Sequence, residues 1–237
     1  MASAIIGGML DNGFKGADIW VSAPDDSHLQ AIRKRFGVSV TTDNRYCAQQ
    51  ADLVILAVKP QVMADVCRDI APMVQNTRPL MVSIAAGLEA GTLDQWLGGG
   101  LPLVRVMPNT PSLVGKGAAG LFANDQVSDK QKQMVEKVFS SIGSALWVNE
   151  EHLLHAVTAL SGSGPAYFFL MLEALEEAAT EAGIEPETAR TLDRVPAQAM
   201  QHLARFRVVQ FDHVTTIQAF VAAQTEHVID LARPVQA

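Results

Sequence analysis

The run Leu53-Val54-Ile55-Leu56-Ala57-Val58, followed by Lys59-Pro60, decides the fold class of this chain. An unbroken apolar run this short lacks the alternation of a strand with one wet face, and its β-branched residues favour extended backbone. It predicts a strand covered on both faces of a parallel sheet. Pro60 stands where a helix can begin, because the N–H it lacks is not needed in a first turn. Leu80-Met81-Val82-Ser83-Ile84 is a second such run, which breaks at Ala85-Ala86-Gly87 before a helix around residues 91–97. Strand, turn and helix at this spacing are βαβ units, and the strands at 53–58 and 80–83 are expected to be adjacent and central in the sheet.

Toward the N-terminus, Met-Ala-Ser-Ala-Ile-Ile-Gly-Gly-Met-Leu (1–10) groups its apolar residues at helical spacing and stops near Asn12-Gly13, so the chain is expected to open on a helix. Short strands at 19–21 and 38–40 flank a helix closed by Gly37. Toward the C-terminus come a strand at 103–107, the corner Pro108-Asn109-Thr110-Pro111 and a strand at 117–122. A helix entered through the capping box Ser128-Asp129-Lys130-Gln131 precedes a strand at 145–148. The Pro-Asn-Thr-Pro corner reads either as the lining of a cleft or as a fixed turn. Residues 1–148 are therefore expected to form a dinucleotide-binding domain of Rossmann type, and 149–237 an all-helical domain.

Within the helical part, Ser161-Gly162-Ser163-Gly164-Pro165 packs two hydroxyls, two permissive glycines and a helix-starting proline into five residues. It is either a grip for a carboxylate or phosphate or a slack joint between two helices. A long apolar helix follows, with Glu173, Glu176 and Glu177 on its wetter side.

Charge narrows the partners. With 18 Lys and Arg against 25 Asp and Glu, a formal charge of −7 and no basic run, the chain is not expected to bind nucleic acid. No segment reads as a membrane span or signal peptide, and Cys47 and Cys67 have neither metal-ligand spacing nor the density of a secreted scaffold. A small-molecule substrate and a cytoplasmic setting are the expectation. His152 and His155 lie three apart, but with no third ligand in register no metal is expected.

Open sheets bind ligands outside the carboxyl ends of their strands, which here are Ala57-Val58-Lys59-Pro60 and Ile84-Ala85-Ala86-Gly87. The strand at 19–21 ends on Ser22-Ala23, where an NAD site places an acidic residue against the ribose, so NADP(H) is expected over NAD(H). Nothing like the usual opening strand and Gly-x-Gly-x-x-Gly turn precedes Met1.

Four motifs in order, Leu-Ala-Val-Lys-Pro (56–60), Ser-Ile-Ala-Ala-Gly (83–87), Met-Pro-Asn-Thr-Pro (107–111) and residues 158–167, resemble pyrroline-5-carboxylate reductase. The resemblance runs from Met1 to about Leu192. It implies reduction of 1-pyrroline-5-carboxylate to L-proline by NAD(P)H, the last step of proline biosynthesis, in a homo-oligomer. It also implies that Asn44, Ala57, Val58, Lys59 and Pro60 touch the adenosine half of the cofactor and that Ile84, Ala85 and Ala86 lie beside the nicotinamide. Glu151, Thr158 and Ser163 are implied on the substrate side, and no charged general acid is required, so no catalytic residue is assigned.

Two departures set further expectations. The family's first strand and glycine-rich loop are missing, and residues 193–237 contain no glycine, lysine or serine and do not reproduce the family's dimer helices or its Ser-Pro-Gly-Gly-Thr-Thr run. Ile217, Phe220, Val221, Gln224, Val228 and Leu231 still sketch one amphipathic helix. Both grips being reduced, nucleotide affinity below the family's and slow proline formation are expected. A truncated or non-catalytic relative that keeps the fold and part of the nucleotide binding stays open as the alternative.

Overall fold

The computed structural model describes residues 1–193. Two compact units divide the chain, Met1–Phe169 and Leu170–Ala237.

The first unit opens on helix α1 (Ala2–Asp11), which leads to strand β1 (Trp20–Ser22). Helix α2 (Asp26–Phe36) starts on the Asp25 carboxylate, which accepts the Ser27 and His28 amides, and it ends at Gly37 with φ 67°, a left-handed turn that glycine adopts without strain. Strand β2 (Ser39–Thr41) then pairs parallel to β1 in a two-stranded sheet. Helix α3 (Asn44–Gln49) precedes strand β3 (Leu53–Leu56), and Pro60 opens helix α4 (Pro60–Thr77). Strand β4 (Leu80–Ser83), helix α5 (Ala90–Trp96), strand β5 (Leu103–Met107) and strand β6 (Gly117–Ala123) follow. Helix α6 (Asp129–Ser140), entered through the Ser128–Gln131 capping box, leads to strand β7 (Gly143–Trp147). The main sheet has the order β3-β4-β5-β6-β7, parallel throughout except at β5 and β6.

The period-2 geometry of the strands sorts the core into two layers. Leu56, Met81 and Leu103 face the layer filled by Met63, Cys67 and Ile70 of α4, whereas Leu80, Val82, Val104 and Val106 face the layer holding Phe139 of α6 and Ile5 of α1. A third cluster, Ile6, Ile19, Ile32 and Val38, lies under β1 and β2. Ile5 and Ile6 are consecutive, so α1 is the helix through which both sheets are packed together.

One expectation about the deciding run is corrected. Leu80–Ser83 is fully buried and parallel to its neighbours, but Leu53–Leu56 lies on the edge of the main sheet and three of its four residues are only half-buried. Both of its faces are covered as the apolar run requires, since Val54 packs on one layer and Leu53 and Ile55 on the other. What stays open is its lateral edge, because β1 pairs with β2 and not with β3. The strand also stops at Leu56, two residues short of the apolar run.

After β7 the described residues are helical. Helix α7 (Leu153–Val157) passes into a turn of π-helix (Thr158–Gly162) and then into α8 (Gly164–Glu181). In the second unit, Arg190 on a helix over 186–193 pairs with Glu176 at 3.5 Å and with Glu187 at 3.1 Å.

Candidate active site

Because β3, β4 and β5 are parallel, their carboxyl ends share one edge of the sheet. At the end of β3, Ala57, Lys59 and Pro60 are exposed and Val58 is half-buried. At the end of β4, Ile84 is half-buried, Ala85 buried and Ala86 exposed. The Ser83 hydroxyl accepts the Ala85 amide at 3.3 Å and Gly87 takes φ 76°, which bends the chain sharply off the sheet and leaves small residues along the rim. Asn44, half-buried, is the first residue of α3, whose start is capped by the Asp43 carboxylate. No described hydrogen bond joins Asn44 to residues 57–60, although α3 packs on α4, which begins at Pro60.

Glu151 is a staple. Its Oε1 accepts from Arg105 Nη1 at 2.6 Å and from the Ala90 amide, the first of α5, also at 2.6 Å. One carboxylate oxygen thus ties the segment just before α7 to β5 and to the helix behind the Ile84–Gly87 bend. Arg105 is only 5% exposed, and its Nε has no partner among the described residues. Its charge is matched on one side only.

The end of β5 is joined to the Ser-Gly-Ser-Gly-Pro turn. Asn109 Nδ2 donates to the Ser161 carbonyl at 2.9 Å, while its Oδ1 accepts the Ala118 amide of β6 at 2.8 Å. The Pro-Asn-Thr-Pro corner is therefore a fixed turn whose asparagine is spent on structure. The helical turn is not a slack joint: Ser163 N–H reaches the Thr158 carbonyl five residues back at 2.8 Å, the wide π spacing that recurs at functional sites. Thr158 Oγ1 donates to Leu154 O at 2.7 Å and Ser161 Oγ to Val157 O at 3.0 Å, so both hydroxyl protons are committed. The Ser163 hydroxyl has no partner among the described residues.

The structure thus draws Ile84, Ala85 and Ala86 toward Glu151 through Ala90, and Thr158 and Ser163 toward the end of β5 through Asn109. Arg105 and Asn109 were missed as site residues from the sequence. The signal for Arg105 was a lone cation at an inward position of Leu-Val-Arg-Val-Met, which requires a buried counter-charge. His152 pairs with Glu150 at 3.2 Å, and among the described residues no group of three or more His, Cys, Asp or Glu side chains converges.

A βαβ sheet with small residues at the carboxyl edge of its parallel strands, followed by helices, defines a Rossmann-type nucleotide-binding fold. Residues 1–87 match the family model described as "NADP oxidoreductase coenzyme F420-dependent", and residues 151–229 match "Pyrroline-5-carboxylate reductase dimerisation". The chain is 44% identical over 192 residues to the pyrroline-5-carboxylate reductase of Pseudomonas aeruginosa, an alignment covering 81% of this chain and 70% of that one. Among solved structures it is similar to a pyrroline-5-carboxylate reductase from Coxiella burnetii, with 36% identity, TM-score 0.85 and coverage of 97% and 88%. It is also similar to a Plasmodium falciparum pyrroline carboxylate reductase with NADP bound, with 25% identity, TM-score 0.76 and coverage of 96% and 87%. The chain belongs to the pyrroline-5-carboxylate reductase family.

The alignments with the Pseudomonas, Vibrio alginolyticus and Haemophilus influenzae relatives cover 192 residues of the chain, in keeping with the expected loss of similarity near Leu192, while the dimerisation match runs on to residue 229. The apolar residues from Ile217 to Val228 fall inside it. The structure of that segment lies outside the described residues.

Proposed function

We propose that this chain reduces 1-pyrroline-5-carboxylate to L-proline with NADP(H) in preference to NAD(H). The observation that carries the reading is the convergence of the four sequence motifs on the carboxyl edge of β3–β5. A nicotinamide cofactor supplies the hydride, which adds to the imine carbon while the protonated nitrogen keeps its proton as the amine. The protein's task is to hold two flat reactants in register and to keep water away.

In this reading Asn44, Ala57, Val58, Lys59 and Pro60 hold the adenosine half of the cofactor. Ile84, Ala85 and Ala86 give the nicotinamide a small, apolar rim. Ser163 offers its hydroxyl to the substrate carboxylate, Thr158 lines the cleft, and Glu151 fixes the bend above α5. The absence of an acidic residue at Ser22-Ala23 supports the phosphorylated cofactor, as does the NADP-bound Plasmodium relative. Residues 1–148 serve as the nucleotide domain and 149–237 as the substrate and dimerisation domain. Exposed Tyr167, Phe168, Phe169, Leu170 and Met171 on α8 are the apolar surface that a second copy would bury. A cytoplasmic setting suits the two free cysteines. The test is proline formation with NADPH and with NADH at equal concentration, read by product and by cofactor oxidation.

One observation favours a second reading, a relative with a weak nucleotide grip: β1 and β2, which precede Asn44, form a sheet separate from the one carrying Ile84. Asn44 would then be tied through side-chain packing, not through a shared ladder, to the main sheet that carries both residues 57–60 and Ile84. Titration with NADPH separates the readings, a dissociation constant in the low micromolar range supporting the first.

A further inference from the structure

We propose that Asn109 is a positioning residue, which fixes the turn presenting Ser163 by supplying the hydrogen-bond donor that Pro165 withholds from Ser161. The proposal rests on the reading above only where it takes Ser163 as a substrate contact. The positioning itself stands on geometry.

A carbonyl inside an α-helix accepts the N–H four residues on. For Ser161 that residue is Pro165, which has no N–H to give. The next amide, Ala166, is engaged with the Ser163 carbonyl at 3.0 Å. The Ser161 carbonyl would be left without a partner in a half-buried turn, and an unmade hydrogen bond there is costly. Asn109 Nδ2 fills the place at 2.9 Å.

The asparagine is itself held rigid. It is 8% exposed, it follows Pro108, and its carbonyl oxygen is fixed by the Ala118 amide at 2.8 Å. The donor is therefore aimed from the frame of the main sheet, not from a free side chain. Two close approaches seat the same turn. A Cβ on Gly162 would come within 3.3 Å of Met107 Cε, and one on Gly120 would lie 2.8 Å from the Val157 methyls. Together these contacts register the 157–163 segment against the end of β5, which sets where the unpartnered Ser163 hydroxyl points. A shift near 1 Å in such a group costs on the order of a hundredfold in a reaction that depends on alignment.

The experiment uses the full chain and three variants: Asn109→Ala, Pro165→Ala and the double substitution. Two quantities are read, hydrogen exchange at the Ser163 amide and L-proline affinity by calorimetry with NADP+ present. Asn109→Ala is expected to speed Ser163 exchange about tenfold and to weaken L-proline about tenfold with NADP+ affinity unchanged. Adding Pro165→Ala restores an N–H to residue 165, and both quantities should return to within about threefold of the unsubstituted chain. The Ala118 amide stays unpartnered in both variants, so a general loss of stability would not be rescued. Should Asn109→Ala fail to fold, Asn109→Asp keeps the acceptor for Ala118 while removing the donor, and carries the same two readouts. Unchanged exchange in the single variant, or no recovery in the double, overturns the proposal. If the unsubstituted chain does not bind L-proline, the reading of Ser163 as a substrate contact fails, and exchange alone decides whether Asn109 positions the turn.

Discussion

Glu151 Oε1 and Arg105 Nη1 lie 2.6 Å apart, with the guanidinium side chain 6% and the carboxylate side chain 27% exposed. The exposure is unequal, so the two halves of the pair are not equivalent. Removing the carboxylate strands a buried cation, whereas removing the cation leaves a carboxylate that still accepts the Ala90 amide and reaches water. Glu151→Ala is expected to cost about 3 kcal/mol and Arg105→Met about 1 kcal/mol in urea unfolding at neutral pH. The double variant should resemble Arg105→Met. Equal losses from the two single variants would show that the pair is matched by water.

Gly8 on α1 is where that helix presses on the loop between α6 and β7. A Cβ there would overlap the Ile142 side chain and lie 2.9 Å from the Ser141 carbonyl oxygen, whereas one on Gly91 of α5 meets nothing within 4 Å. Gly8→Ala should cost about 2 kcal/mol and Gly91→Ala should stabilise by about 0.5 kcal/mol, both measured by thermal unfolding. A neutral Gly8→Ala would mean that α1 can move away from the sheet.

Burial pushes the Cys67 thiol from its ordinary 9.0 up to about 11, with Arg68 pulling weakly the other way. Burial also raises Cys47, against a hydrogen bond from Ser22. Both should resist iodoacetamide at pH 8 in the folded chain and react readily in urea, Cys47 being the faster because it is half-buried. The raised Cys67 value means the folded state holds its proton more tightly. The stability this contributes is complete below pH 9 and is lost between about pH 9 and 11. The stability gap between the unsubstituted chain and Cys67→Ala should narrow across that window. A constant gap would place water at the thiol.

The apolar runs at 53–58 and 80–84, the stop at Gly37 and the Ser128 box were legible because each depends on local chemistry. Sheet edges were not. Leu53–Leu56 has the composition of a central strand, and only the pairing of β1 with β2 puts it on an edge. In the candidate site, Glu151 and Ser163 were singled out by the family resemblance alone. The partners that organise them, Arg105 and the Ala90 amide for one and Asn109 for the other, join residues 46, 61 and 52 positions apart, a range at which spacing carries no signal. The proline that leaves Ser161 unpartnered was visible; the asparagine that answers it was not.

We take the four motifs at the carboxyl edge of the sheet to form a working reductase site. The measurement that bears on it most directly is L-proline formed from 1-pyrroline-5-carboxylate by the purified chain, with NADPH as reductant and a Ser163→Ala variant alongside. A working site gives stoichiometric NADPH loss and proline gain, faster than with NADH, and a rise in KM of about tenfold for Ser163→Ala with its fold intact. No proline above the enzyme-free control, from a chain shown to bind NADPH, would contradict it.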